Sequence, residues 1–234
     1  MIGIGGVGMS GIAELMMNMS FNVSGSDITN NYSVKRLIDI GIPVTIGHDK
    51  KNIINADIVV YSSAIKKDNC EIRAAQSNNI PLIKRAEILS YLMSLKKGIT
   101  ISGSHGKTTT TSLVAHIFSE AGLDPTYVIG GRLNSMNVNA KLGGSDLMVV
   151  EADESDASFL HLNPVNAVIT NIDNDHLGTY QNKFENLKKT YIDFVHQVPF
   201  YGTIFLCLDD LHVKNIIPKL SRPIVTYGLS SKSD

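Results

Sequence analysis

The sequence predicts an α/β protein, with an N-terminal Rossmann-like domain followed by a P-loop-containing, parallel-sheet central domain that is incomplete at its C-terminal end. Strand-like apolar runs alternate with helix-like stretches along all 234 residues, the pattern of βαβ units. Two strands feed glycine-rich turns that open directly into helices, at 3–8 and 103–109. The polar segment 94–98 separates two blocks that each begin with such a strand and turn, which sets the domains at 1–96 and 97–234.

In the first block, β-branched and aromatic runs predict strands near 2–4, 22–24, 43–46, 58–61 and 81–83. Helical patterns fill 9–19, 33–40, 71–77 and 86–93, and Gly41 stands where a C-cap is needed. In the second block, strands are expected at 99–102, 147–150, 167–170 and 203–208, with helices at 107–121, closed by Gly122, and 184–197. Only Met1 and Ile2 precede Gly3, so the strand leading into the first glycine turn is expected to be a stub.

Composition narrows the functional classes. Twenty-one Lys and Arg against 22 Asp and Glu leave no basic excess for a nucleic-acid backbone or an anionic membrane, so neither is expected as a partner. Glu14 and Asn18 interrupt the apolar start, the first basic residue is Lys35, and no run of about 20 apolar residues occurs, which argues against a signal peptide or a membrane span. Cys70 and Cys207 are far apart and lack metal-site spacing, which fits a reducing, cytoplasmic setting.

Gly3-Ile4-Gly5-Gly6-Val7-Gly8 fits G-x-G-x-x-G, and Asp27 follows 19 residues after Gly8. Gly3 permits the turn, Gly5 a close approach of a diphosphate, and Gly8 close helix packing, with the helix N-terminus facing the anion. The motif alone leaves open a nicotinamide dinucleotide, another diphosphate-bearing nucleotide, or a turn that binds nothing. Gly103-Ser104-His105-Gly106-Lys107-Thr108-Thr109 is a shortened P-loop, with Ile101 where the usual first glycine stands. Backbone N–H groups there can cradle phosphates, Lys107 can neutralise β/γ oxygens, and the Thr108 hydroxyl can bind Mg²⁺.

Two further strands end in polar groups. The run 147–150 ends at Glu151, the carboxylate a P-loop site needs for Mg²⁺, while Asp153, Glu154 and Asp156 read either as a solvated acidic loop or as further ligands. The run 167–170 is followed by Asn171, Asp173, Asp175 and His176. Parallel strands deliver such groups to one carboxyl-end edge, where a nucleotide and two metal ions fit.

The combination of GIGGVGMSGIAE (3–14), SGSD (24–27), YSSAI (61–65), KRAEIL (84–89), GSHGKTTTTSLVA (103–115), EADESDASFL (151–160), TNIDNDH (170–176) and TYG (226–228) resembles the Mur ligase family over essentially the whole sequence. The resemblance implies a cytoplasmic, ATP- and Mg²⁺-dependent ligase of peptidoglycan synthesis that joins L-alanine to UDP-N-acetylmuramate through an acyl phosphate. It implies a UDP-sugar site at Gly5, Gly6, Gly8, Asp27, Ser62 and Ser63, and an ATP site at Gly103, Ser104, His105, Gly106, Lys107, Thr108 and Thr109. Lys107, Glu151 and His176 become the catalytic set, with Thr108, Glu151 and His176 as metal ligands. It also implies a third domain beyond Asp234, and hence a fragment with little or no activity alone. Gly178 departs from the family, which usually has Asp there. The alternatives are a non-catalytic nucleotide-binding remnant and the related ligase that attaches a murein tripeptide. A nicotinamide-dependent oxidoreductase is disfavoured by the second nucleotide loop.

Overall fold

The computed structural model describes residues 1–130, 140–229 and 233–234. It contains two compact units, one formed by Met1–Leu89 with Gly130 and Ala140–Leu142, the other by Ser90–Ile129 and the residues from Gly143 onward. Both are α/β, as the alternation of apolar periods requires.

The first unit runs α1 (Val7–Asn18), β1 (Gly25–Asp27), α2 (Tyr32–Asp39), β2 (Val44–Ile46), β3 (Val59–Tyr61), α3 (Cys70–Ser77), β4 (Leu82–Lys84) and the start of α4 (Arg85–Ser94). β1 pairs in parallel with β2, and β3 with β4. Between the two pairs stands a single residue, Ile2, bridged in parallel to Ser26 on one side and Tyr61 on the other. The expected stub is thus shorter than a strand, because Gly3 turns the chain at once with φ +74°. The Ile2 side chain is fully buried all the same: it joins a core cluster with Ile53, Val59, Ile72 and Ala75, and Ile4, past the Gly3 turn, joins a second one with Ala13, Leu37 and Ile42. Each fully buried aliphatic side chain contributes about 2 kcal/mol. β1 begins three residues later than expected, since a Cβ on Gly25 would lie 2.6 Å from Ile4 Cδ1 and 2.7 Å from the Met1 carbonyl oxygen. This glycine marks a close approach of two chain segments and not a turn. Asn31 and Asn69 cap α2 and α3 with their side-chain oxygens.

The second unit carries β5 (Lys97–Ser102), α5 (Lys107–Glu120), β6 (Thr126–Val128), β8 (Leu147–Glu151), β9 (Asn166–Ile169), α6 (Phe184–Val195), β10 (Thr203–Cys207), α7 (Leu211–Ile216) and β11 (Ile224–Tyr227), while β7 (Ala140–Lys141) groups with the first unit. Its strands lie in the order β11-β10-β9-β5-β8-β6, paired in parallel. The stretch 94–98 holds the end of α4 and the start of β5. β5 is central, with Ile101 opposite Glu151 on β8 and Ser102 opposite Ile169 on β9. Behind the sheet, Phe159 stacks on Phe194 at 4.7 Å and meets Tyr191 edge-on at 5.3 Å. No helix among the described residues is long and apolar enough to cross a membrane.

Candidate active site

The loop after β5 is shaped by two glycines and a neighbouring strand. Gly103 has φ +142°, and a Cβ on it would lie 2.0 Å from Thr170 Oγ1. Gly106 has φ +78°, with open space where a Cβ would stand. The segment following β9 fastens the loop. Asn171 accepts from the Ser104 N–H through its backbone oxygen (3.1 Å) and from the His105 N–H through Oδ1 (2.8 Å), and its Nδ2 donates to the His105 carbonyl (2.9 Å). Thr170 Oγ1 donates to that same carbonyl, and Ser104 Oγ accepts from the Asp173 N–H, both at 2.8 Å. The backbone donors of Ser104 and His105, expected to face phosphate, are therefore spent on Asn171. The first helical bond of α5 runs from the Thr110 N–H to Gly106, so the N–H groups of Lys107, Thr108 and Thr109 stand ahead of the ladder as the natural anion donors.

Lys107 is folded against the protein. Its Nζ donates to Gly103 O at 2.8 Å, to Ser104 O at 3.4 Å and to Glu154 Oε1 at 2.9 Å. Glu154 is only 1% exposed, so the acid that read as part of a solvated loop is a buried partner of the phosphate-loop lysine. Burial pushes its carboxyl above the ordinary range, and the ammonium of Lys107 pulls it back down. The Tyr180 hydroxyl donates to the Glu154 carbonyl, and Thr179 Oγ1 donates to Ser155 O at 2.6 Å, tying the loop after β8 to the turn at 177–180. Gly178 lies in that turn, and a Cβ on it would meet nothing within 4 Å, so a larger residue is sterically tolerated there.

Thr108 Oγ1 donates to Glu151 Oε1 at 3.0 Å, which brings a hydroxyl and a carboxylate from β8 together. Both offer oxygen, the donor set of a hard divalent cation. The His176 imidazole, about half exposed, has Nε2 3.6 Å from Asp175 Oδ2. Among the described residues no three His, Cys, Asp or Glu side chains converge to hold a metal ion. His105 Nε2 lies 3.0 Å from Asp173 Oδ2, and this hydrogen bond is the main reason the exposed Asp173 carboxyl sits below its ordinary range.

The first unit's glycine turn is organised by Asp27. Oδ2 of this buried residue accepts from the Gly5 N–H at 2.8 Å, while Oδ1 accepts from the N–H and hydroxyl of Thr29, both at 3.0 Å. Asn31 Nδ2 donates to Gly5 O at 3.0 Å. A Cβ on Gly5 would lie 2.6 Å from Val34 Cγ2 and 2.9 Å from Asp27 Oδ2, so packing against α2 alone demands this glycine. Gly8 faces Arg85, whose Nη1 is 3.1 Å from a Cβ built there, and Gly6 is the N-cap of α1. Ser62 and the exposed Ser63 follow β3, and the Ser62 N–H donates to Ile2 O at 3.2 Å. Sequence reasoning missed Glu154 as a lysine partner and Arg85 beside the first glycine turn. The only signal for either was its place in a motif.

Comparison with known proteins identifies the ensemble. The Mur ligase family, catalytic domain, matches residues 1–97, and the Mur ligase middle domain matches residues 101–234. A UDP-N-acetylmuramate--L-alanine ligase of Hydrogenovibrio crunogenus is 53% identical over 233 residues, covering 100% of this chain and 50% of that protein. The ligase of the same name from Neisseria gonorrhoeae is 54% identical, with the same coverage. Among solved structures, the UDP-N-acetylmuramate-alanine ligase of Thermotoga maritima aligns with TM-score 0.86 at 28% identity, over 99% of this chain and 52% of that one. The UDP-N-acetylmuramate:L-alanyl-gamma-D-glutamyl-meso-diaminopimelate ligase of Neisseria meningitides aligns with TM-score 0.88 at 28% identity, over 96% and 76%. The chain spans about half the length of the curated relatives it matches. With a family match over more than half its residues, and the P-loop, Thr108–Glu151 pair and parallel sheet described above, the chain belongs to the Mur ligase family.

Proposed function

We propose that this chain supplies the UDP-sugar and ATP sites of a cytoplasmic ligase of peptidoglycan synthesis, which joins L-alanine to UDP-N-acetylmuramate at the expense of ATP. The observation that carries this reading is the 53% and 54% identity along the entire chain to two ligases named for joining L-alanine to UDP-N-acetylmuramate. Residues 1–96 take the UDP-sugar, 97–234 take ATP, and L-alanine is left to a third domain.

The chemistry asks a carboxylate to attack the γ-phosphorus of ATP, two anions that repel. ADP leaves with the bridging oxygen as the acyl phosphate forms, and the alanine amine then attacks the acyl carbon, losing a proton and expelling phosphate as the amide bond forms. In this reading the N–H groups of Lys107, Thr108 and Thr109 receive phosphate oxygens, and the Lys107 ammonium stabilises charge on the phosphoryl group in transit. Thr108 and Glu151 are the residues that would hold a divalent cation, and His176, beyond β9, is the further ligand this reading assigns. Such a cation supplies screening of the carboxylate–phosphate repulsion. Asp27 keeps the first glycine turn in shape for the UDP diphosphate, with Gly6 and Gly8 at the start of α1 and Ser62 and Ser63 beyond β3.

Calorimetry on the 234-residue chain tests this. UDP-N-acetylmuramate and Mg–ADP are expected to bind one each, without competing, and NAD to give no heat. NAD that displaces the UDP-sugar would overturn the reading.

A further inference from the structure

We infer that Glu154 is the positioning residue of the phosphate-loop lysine, its buried carboxylate aiming the Lys107 ammonium into the loop 103–109 and remaining bound to it when a nucleotide phosphate enters. This rests on the reading that the loop receives such a phosphate. An ammonium has three N–H donors, and those of Lys107 go to Gly103 O at 2.8 Å, Glu154 Oε1 at 2.9 Å and Ser104 O at 3.4 Å. The bond to Ser104 is the longest, so it is the donor a phosphate oxygen takes at least cost. Releasing Glu154 is a different matter. Its side chain is 2% exposed against 15% for Lys107, both carboxylate oxygens lie 2.9 Å from Nζ, and Lys107 is the cation acting on it. Stripping the lysine away would strand a buried carboxylate, a change far costlier than exchanging one backbone acceptor for a phosphate oxygen.

The backbone that carries this carboxylate is also anchored. The Glu154 carbonyl accepts from the Tyr180 hydroxyl and from the Ala157 N–H at 3.0 Å, and the next residue's carbonyl accepts from Thr179 Oγ1 at 2.6 Å. A lysine whose flexible four-carbon stem would otherwise sample many rotamers is held from a separate element, the device kinases use when a glutamate on another helix sets their phosphate-binding lysine.

A double-mutant cycle of E154Q and K107M tests this by calorimetry with Mg–ADP and by thermal unfolding. E154Q is expected to weaken Mg–ADP about 10-fold. K107M should weaken it further, and the double variant should bind no worse than K107M alone, because Glu154 acts through the lysine. K107M should also lower the unfolding midpoint by about 5–10 °C, and adding E154Q should restore most of that loss by removing the stranded charge. E154D, which keeps the charge, should bind Mg–ADP better than E154Q, and it carries the test if E154Q does not fold. A glutamate with a merely structural role would lower the midpoint whichever residue stands at 107 and leave affinity unchanged, which overturns the inference. Tighter binding by E154Q also overturns it, since Glu154 would then compete with phosphate. If the unaltered chain binds no Mg–ADP, the functional reading fails and this role with it, while restored stability in the double variant would still report the ion pair.

Discussion

The two glycine-rich turns look alike in sequence and are built on opposite plans. In the first, an anchoring carboxylate reaches in from β1. Asp27 takes the Gly5 N–H, and a Cβ on Gly5 would press to within 2.6 Å of Val34 Cγ2. In the second, the anchor is an amide, Asn171, which clasps the backbone of His105 from the far side of β5, while Gly106 stands in open space and is there for its left-handed conformation alone. The strand behind the first turn is one bridged residue, and the strand behind the second is six residues long. A glycine motif therefore reports either a close approach of the backbone or a left-handed conformation, and only the surroundings say which.

Replacing glycines one at a time separates these causes. G103A combines a forbidden φ of +142° with a 2.0 Å approach to Thr170 Oγ1, and it is expected to cost about 4 kcal/mol or more and to lower the unfolding midpoint by about 10 °C. G5A meets the movable Cγ2 of Val34 and should cost about 1–3 kcal/mol. G106A meets nothing and should cost about 1 kcal/mol of backbone strain. Equal losses for G103A and G106A in urea or thermal unfolding would mean that contact with the segment after β9 contributes nothing at the second turn.

The layout of the second unit was legible in advance because its strands are continuous apolar runs with abrupt polar ends. The expected strands 99–102 and 147–150 lie within β5 and β8, the expected 167–170 overruns β9 by Thr170 alone, and the three stand side by side. β6, β11 and α7, of three, four and six residues, were not anticipated. In the first unit, the strand expected at 22–24 stands three residues later, at Gly25–Asp27. At the site, the sequence pointed to Lys107, Thr108 and Glu151 through spacing. It was silent on Glu154, since nothing in a row of acids says which of them turns inward. Burial is a property of the folded neighbourhood, here Tyr180, Thr179 and the lysine itself. Nor does the spacing that marks Lys107 as a phosphate-loop lysine show that it also neutralises a buried charge.

D27N addresses the first turn's anchor. The amide keeps one oxygen acceptor and replaces the other with a donor facing the Gly5 or Thr29 N–H, so at least one charge-assisted bond is lost, at about 2 kcal/mol. UDP-N-acetylmuramate binding should fall more than 10-fold in calorimetry while Mg–ADP binding is unchanged. A parallel loss of both would mean that the two turns are not independently built.

The smallest effect expected is at the exposed His105–Asp173 pair. The hydrogen bond from His105 holds the Asp173 carboxyl below 3.8, so the pair favours the folded state above that pH. Its contribution is lost as pH falls through the lower folded value. Both partners are exposed, so salt screens them. H105A should let the Asp173 carboxyl return upward toward 3.8 in a carbon-detected NMR titration. Mg–ADP affinity should change less than about twofold, because Asn171 and Thr170 grip the backbone of residue 105 whatever its side chain. A large loss of affinity in H105A would shift the anchoring of the second turn from the amide of Asn171 to the imidazole, and the contrast with the carboxylate-anchored first turn would narrow to two ionic devices.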